Sequence, residues 1–81
     1  MNEEHAREII KNERLKRVNL FREGGLSERE MVVRYNHVTD RYEVFGTDER
    51  AAVVSISEFE SKEEALDNFI FRAKISRDIW G

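Results

Sequence analysis

The spacing of apolar positions changes along this chain, and the changes divide it into elements. Over the first stretch, Ala6, Ile9, Ile10, Leu20 and Phe21 fall on one side of a helical wheel. That spacing predicts a first helix over about residues 2–22. Asn2 is placed to cap it, and Glu3 and Glu4 complement the positive end of its dipole. Glu13 and Arg17 lie on the same side at the i,i+4 spacing of an ion pair. They make the middle of the stripe polar, so the helix bends there, stops near Asn12, or is covered only at its ends. Gly24 and Gly25 suit a C-terminal cap.

The period then falls to two. Met31, Val33 and Tyr35 alternate with Val32 and Arg34, which predicts a strand over about 30–36. Asn36 to Asp40 reads as a hairpin loop. A second strand follows over about 41–46, with Tyr42 and Val44 on one face, and Gly46 to Glu49 forms a second turn. A third strand over about 50–57 places Ala52, Val54 and Ile56 on one face. Short turns between strands imply an antiparallel meander. Ser61 and Glu64 then form a capping box, with Phe59 placed to staple onto Ala65, opening a second helix over about 61–78. Leu66, Phe69, Ile70, Ala73 and Trp80 share the face that packs on the sheet. The expected fold is α+β in α-β-β-β-α order: a three-stranded antiparallel meander with two helices packed on one face, in a single domain over residues 1–81.

The second helix carries a further apolar set. Phe71, Ile75 and Ile79 are spaced i, i+4, i+8 and lie opposite the Leu66/Ala73 side. A helix apolar on two sides is either buried on both or presents one to another molecule. Three readings follow: the first helix covers Phe71 and Ile75, the second helix ends near Lys74 so that Ile75 and Ile79 belong to another geometry, or Phe71, Ile75, Ile79 and Trp80 form a surface for another chain. A homodimer through paired helices is the simplest form of the last.

Composition narrows the class. With 81 residues the chain has room for one domain with a thin core, and a pocket of ligand size is hard to fit. There is no Cys, which excludes disulfides and suits a reducing compartment. No apolar run approaches the roughly 20 residues of a membrane span. Met1-Asn2-Glu3-Glu4 lacks the basic and apolar regions of a secretory signal, so a cytoplasmic location is expected. A formal charge of −3 argues mildly against general nucleic-acid binding.

Candidate chemistry is sparse. Lys11, Arg14, Lys16, Arg17 and Arg22 concentrate positive charge at the end of the first helix and are the residues for a phosphate contact. They scatter around the wheel, and a basic helix end also suits the dipole. The element order is similar to that of double-stranded RNA-binding domains, and Ser61-Lys62-Glu63-Glu64-Ala65 resembles the entry to their RNA-facing helix. That family carries lysines where this chain has Glu63 and Glu64, whose carboxylates repel a phosphate backbone. Leu26-Ser27-Glu28-Arg29-Glu30 resembles the opening of the LuxR-type helix-turn-helix, with Ser27 and Glu30 spaced as a capping box. The β-prone Val32-Val33-Arg34-Tyr35 follows where that family continues its helix. His5 and His37 are the only histidines and read as surface residues rather than metal ligands. No serine sits in a nucleophile elbow, and no carboxylate has the apolar setting that catalysis needs.

The expected function is that of a small non-enzymatic interaction module, an adaptor, inhibitor or regulatory protein. It binds a protein partner or itself through the second helix, without cofactor, metal, membrane or small-molecule substrate. The alternative is a nucleic-acid-associated regulatory protein using the basic end of the first helix.

Overall fold

A computed structural model describes residues 1–22 and 24–80, except the side chain of Trp80. Its elements are α1 (Glu3–Asn12), β1 (Val18–Leu20), β2 (Met31–Asn36), β3 (Arg41–Thr47), β4 (Val53–Phe59) and α2 (Lys62–Trp80). The class is α+β, as the periodicity predicts, with one more strand. The sheet has the order β1-β2-β3-β4. The two β2-β3 and β3-β4 pairs are antiparallel, whereas β1 runs parallel to β2.

The first helix is shorter than the expected 2–22. Asn2 caps it, accepting from the His5 N–H at 2.7 Å. Beyond Asn12 the backbone turns through positive φ at Arg14 (52°) and Arg17 (56°), which ends the helical path. Val18, Asn19 and Leu20 then pair with Met31, Val32 and Val33. The Ala6/Ile9/Ile10 part of the expected stripe is helical, but Leu20 lies on a strand and Phe21 just beyond it. Gly24 and Gly25 cap no helix and lie in the connection between β1 and β2, Gly24 at φ 106°.

The α2 helix covers one face of the sheet, packing Ala65, Leu66, Phe69, Ile70 and Ala73 with Val33 and Val44. Ala6 and Leu15 join this core, which brings α1 against α2 on the same side. Four ion contacts tie the two helices: the Met1 ammonium to Asp67 (2.7 Å), Lys62 to Glu3 (3.0 Å), and Lys74 (3.1 Å) and Arg77 (3.0 Å) to Glu13. Glu13 thus pairs across to α2 and not with Arg17. At the other end, Ser61 Oγ accepts from the Glu64 N–H at 3.3 Å, the expected capping contact.

The third expected strand, 50–57, begins later and ends later, at Val53–Phe59. Arg50 and Ala52 belong to the turn, where their N–H groups donate to Asp48 Oδ1 at 2.8 and 2.9 Å. A bulge between Val44 and Gly46, with Ser55 at φ 55°, adds a residue to β4. The extra residue shifts the alternation by one. Val54 lies beside Gly46, Ser57 bonds Arg72 of α2, and Phe59 packs on the core, so all three face the helices. Ile56 is left half exposed, and the single Ala52/Val54/Ile56 face does not form.

The opposite sheet face is closed without a helix. Val32 and Phe45 are register partners there and fully buried. Arg34 lies over the Phe45 ring at 4.8 Å and donates to Glu43 at 2.9 Å, and Asn36 donates to the second Glu43 oxygen at 3.1 Å. Burial pushes the Glu43 carboxyl upward, but these two donors outweigh it and hold the group below its ordinary value.

Candidate protein-interaction surface

Seven large apolar side chains stand exposed among the described residues, and six of them lie on two elements. Val53, Val54 and Ile56 are on β4. Phe71, Ile75 and Ile79 are on α2, with exposures of 62%, 42% and 67%. The helix explains the second group. Leu66, Phe69, Ile70 and Ala73 hold one side of α2 on the sheet, and Asp67, Lys74 and Arg77 hold its flank against α1. The i, i+4, i+8 set is turned away from both, so α1 does not cover it.

Arg72 fixes the orientation of this stripe. Its guanidinium donates to the Ser55 carbonyl (2.7 Å), the Ser57 hydroxyl (2.7 Å) and the Val44 carbonyl (3.4 Å). These bonds bind the middle of α2 to the bulged strand and prevent rotation about the helix axis. Beside them runs an open groove of about 500 Å³, where Ile75 and Ile79 meet Val54, Met31 and Gly46. Arg17 and Arg29 stand along it with Asp48 and Glu49.

The stripe has a charged margin. Glu64 continues its line toward the helix start, Asp67 and Asp78 flank it while paired with the Met1 ammonium and Arg77, and Arg17, Arg29 and Arg72 line the groove on its other side. The three acidic residues are exposed. An apolar centre with a polar rim is the usual anatomy of a protein-protein contact.

A family model described as immunity protein 59 matches residues 4–78. The chain belongs to the immunity protein 59 family. No curated protein and no solved structure matches it. Membership in this family accords with a small protein-interaction or inhibitor role, the coarse function expected from the residues.

The other predicted residues are less concentrated. Lys11 and Arg22 share a second open groove, of about 530 Å³, with Arg7 and β1. Arg14 and Lys16 are exposed on the link before β1, and Arg17 lines the groove beside α2. The five cations therefore form no single patch. Both grooves exceed what so thin a core was expected to offer, because they lie open on its surface between elements. His5 and His37 are exposed at separate places, and His37 sits edge-on to Tyr35 at 4.9 Å. Among the described residues no group of three or more His, Cys, Asp or Glu side chains is arranged to hold a metal ion. No helix among them is long and apolar enough to cross a membrane.

Sequence reasoning missed one buried polar centre. Glu30 is 5% exposed, and its carboxylate accepts from Asn19 Nδ2 (3.2 Å), the Ser27 N–H (2.9 Å) and Arg22 (3.1 and 3.2 Å). The Ser27/Glu30 spacing was the available signal. Half of the capping box forms, but the chain enters β2 at Met31 in place of a helix.

Proposed function

We propose that this chain is a non-enzymatic immunity protein that binds a protein toxin through the outer side of α2 and thereby blocks it. Phe71, Ile75 and Ile79 are its apolar anchors, with Trp80 at the end of the same helix. The observation that carries the reading is the exposure of this aligned stripe on a helix otherwise fully engaged by the core, α1 and β4. Exposed aromatic and aliphatic clusters of this kind are where binding energy concentrates. The family match to residues 4–78 supports an inhibitor over an adaptor.

The test has two steps. The chain is used to capture its partner from a lysate of the source cells at moderate salt with nuclease present. The captured protein is then produced in a susceptible host with the parent chain or with the Phe71→Ser/Ile75→Ser/Ile79→Ser variant. The reading expects growth inhibition by the captured protein alone, rescue by the parent, and no rescue by a folded variant. Rescue by a folded triple variant would move the contact to another surface. Recovery of the chain only with itself would favour a homo-oligomer through α2.

A further inference from the structure

The outer edge of β1 is an unfilled position in the sheet. Two backbone bonds set its polarity: the Met31 N–H donates to the Arg17 carbonyl at 2.8 Å, and the Phe21 N–H to the Val33 carbonyl at 3.0 Å. In a parallel pair, alternate residues turn their backbone groups to the neighbouring strand. Arg17, Asn19 and Phe21 therefore face β2, and the N–H and C=O groups of Val18 and Leu20 face outward. They face the groove between β1 and α1, which is lined by apolar Ile10, Leu20 and Phe21 and by the cations Arg7, Lys11 and Arg22.

The sheet's other edge is blunted. On β4 the bulge at Ser55 breaks the alternation, Arg72 already occupies the Ser55 carbonyl, and Glu58 adds a charge. Bulges, charges and very short length are how edge strands avoid further pairing. Of these β1 has only its three-residue length, which limits an added strand to the two outward residues Val18 and Leu20.

Charge selects the occupant. In a chain of net charge −3, the charged residues along this groove are Arg7, Lys11 and Arg22, of which Arg7 also meets Glu3 at 3.1 Å and Arg22 holds Glu30 at 3.1 Å. An added strand turns alternate side chains to opposite sheet faces, so acidic side chains at every second position would meet the groove's cations on the α1 side. Such a strand would also satisfy outward donors and outward acceptors together. A nucleic acid backbone offers acceptors only and would leave the outward carbonyls of Val18 and Leu20 facing phosphates.

We propose that the β1 edge binds an extended acidic peptide segment of a protein as an added fifth strand. Backbone bonds to Val18 and Leu20 supply the attachment, and Arg7 and Lys11 supply the preference for acid. The site is separate from the α2 stripe and does not depend on the toxin reading.

The full chain is titrated with three probes: a short peptide of alternating valine and glutamate, its valine and lysine counterpart, and a single-stranded oligonucleotide. Binding is read by calorimetry and by amide hydrogen exchange. The expected result is binding of the glutamate peptide alone, with exchange at the Val18 and Leu20 amides slowed about tenfold or more. Arg7→Glu/Lys11→Glu lowers that affinity by about tenfold or more while the exchange of core amides is unchanged. The proposal is overturned if the glutamate peptide does not bind at millimolar concentration. It is overturned equally if binding leaves the Val18 and Leu20 amides unprotected, if the charge-reversed variant binds as well, or if only the oligonucleotide binds.

Discussion

Arg77 Nη1 donates to Glu13 Oε1 at 3.0 Å, joining the residue that ends α1 to the last turns of α2. Lys74 reaches the second oxygen of the same carboxylate at 3.1 Å. Arg77 first and Lys74 next hold the Glu13 carboxyl below its ordinary value, and Lys62 and Arg7 do the same for Glu3. A carboxyl lowered in the folded state stabilises the fold above its unfolded value, and the contribution is lost as pH falls through the lowered one. Stability is therefore expected to decline below about pH 4. Glu3→Gln/Glu13→Gln should flatten part of that decline, which urea denaturation at a series of pH values reads directly. Both groups are partly open to solvent, so raising the salt should shrink the difference between parent and variant.

Glu30 should matter out of proportion to its place at a loop end. Glu30→Ala leaves Asn19, 3% exposed, and the Ser27 N–H without their acceptor. A loss of about 2–4 kcal/mol is expected by urea denaturation. Amides between Gly24 and Arg29 should exchange faster before the rest of the fold is affected, because this carboxylate pins that connection beside the sheet.

Phe69 and Phe71 separate packing from presentation on one helix. Phe69 is fully buried in the core and Phe71 is mostly exposed. Phe69→Ala is expected to cost about 3–5 kcal/mol. Phe71→Ala should stay within about 0.5 kcal/mol of the parent. A shared large loss in thermal melts would show that Phe71 is packed in solution and would remove the basis for the α2 interface.

Ala51 holds φ 60° in the turn before β4, where its N–H donates to the Asp48 carbonyl at 3.0 Å. A side chain there opposes the left-handed backbone by about 1 kcal/mol. Ala51→Gly should raise the urea midpoint by a corresponding amount, less the added freedom of the unfolded chain.

Much of the fold was legible locally. The capping contacts of Asn2 and Ser61, the period-two runs of β2 and β3 and the buried side of α2 follow from spacing and cap chemistry. The error at the first helix also has a local cause. Leu20 and Phe21 fall in phase with Ala6, Ile9 and Ile10 by coincidence, and Val18-Asn19-Leu20 is too short to show a strand period. The shift in β4 was hidden because a bulge changes alternation without changing composition.

The sequence by itself determined the α+β class, the core side of α2 and the existence of a second apolar stripe at Phe71, Ile75 and Ile79, because these depend on periodicities of a few residues. Only the tertiary structure decided that α1 stops at Asn12, that β1 joins β2 in parallel, and that α1 lies along the flank of α2 and leaves the stripe bare. Those outcomes rest on contacts between distant segments, Arg17 with Met31, Asn19 with Glu30 and Glu13 with Arg77, whose energies no local pattern contains.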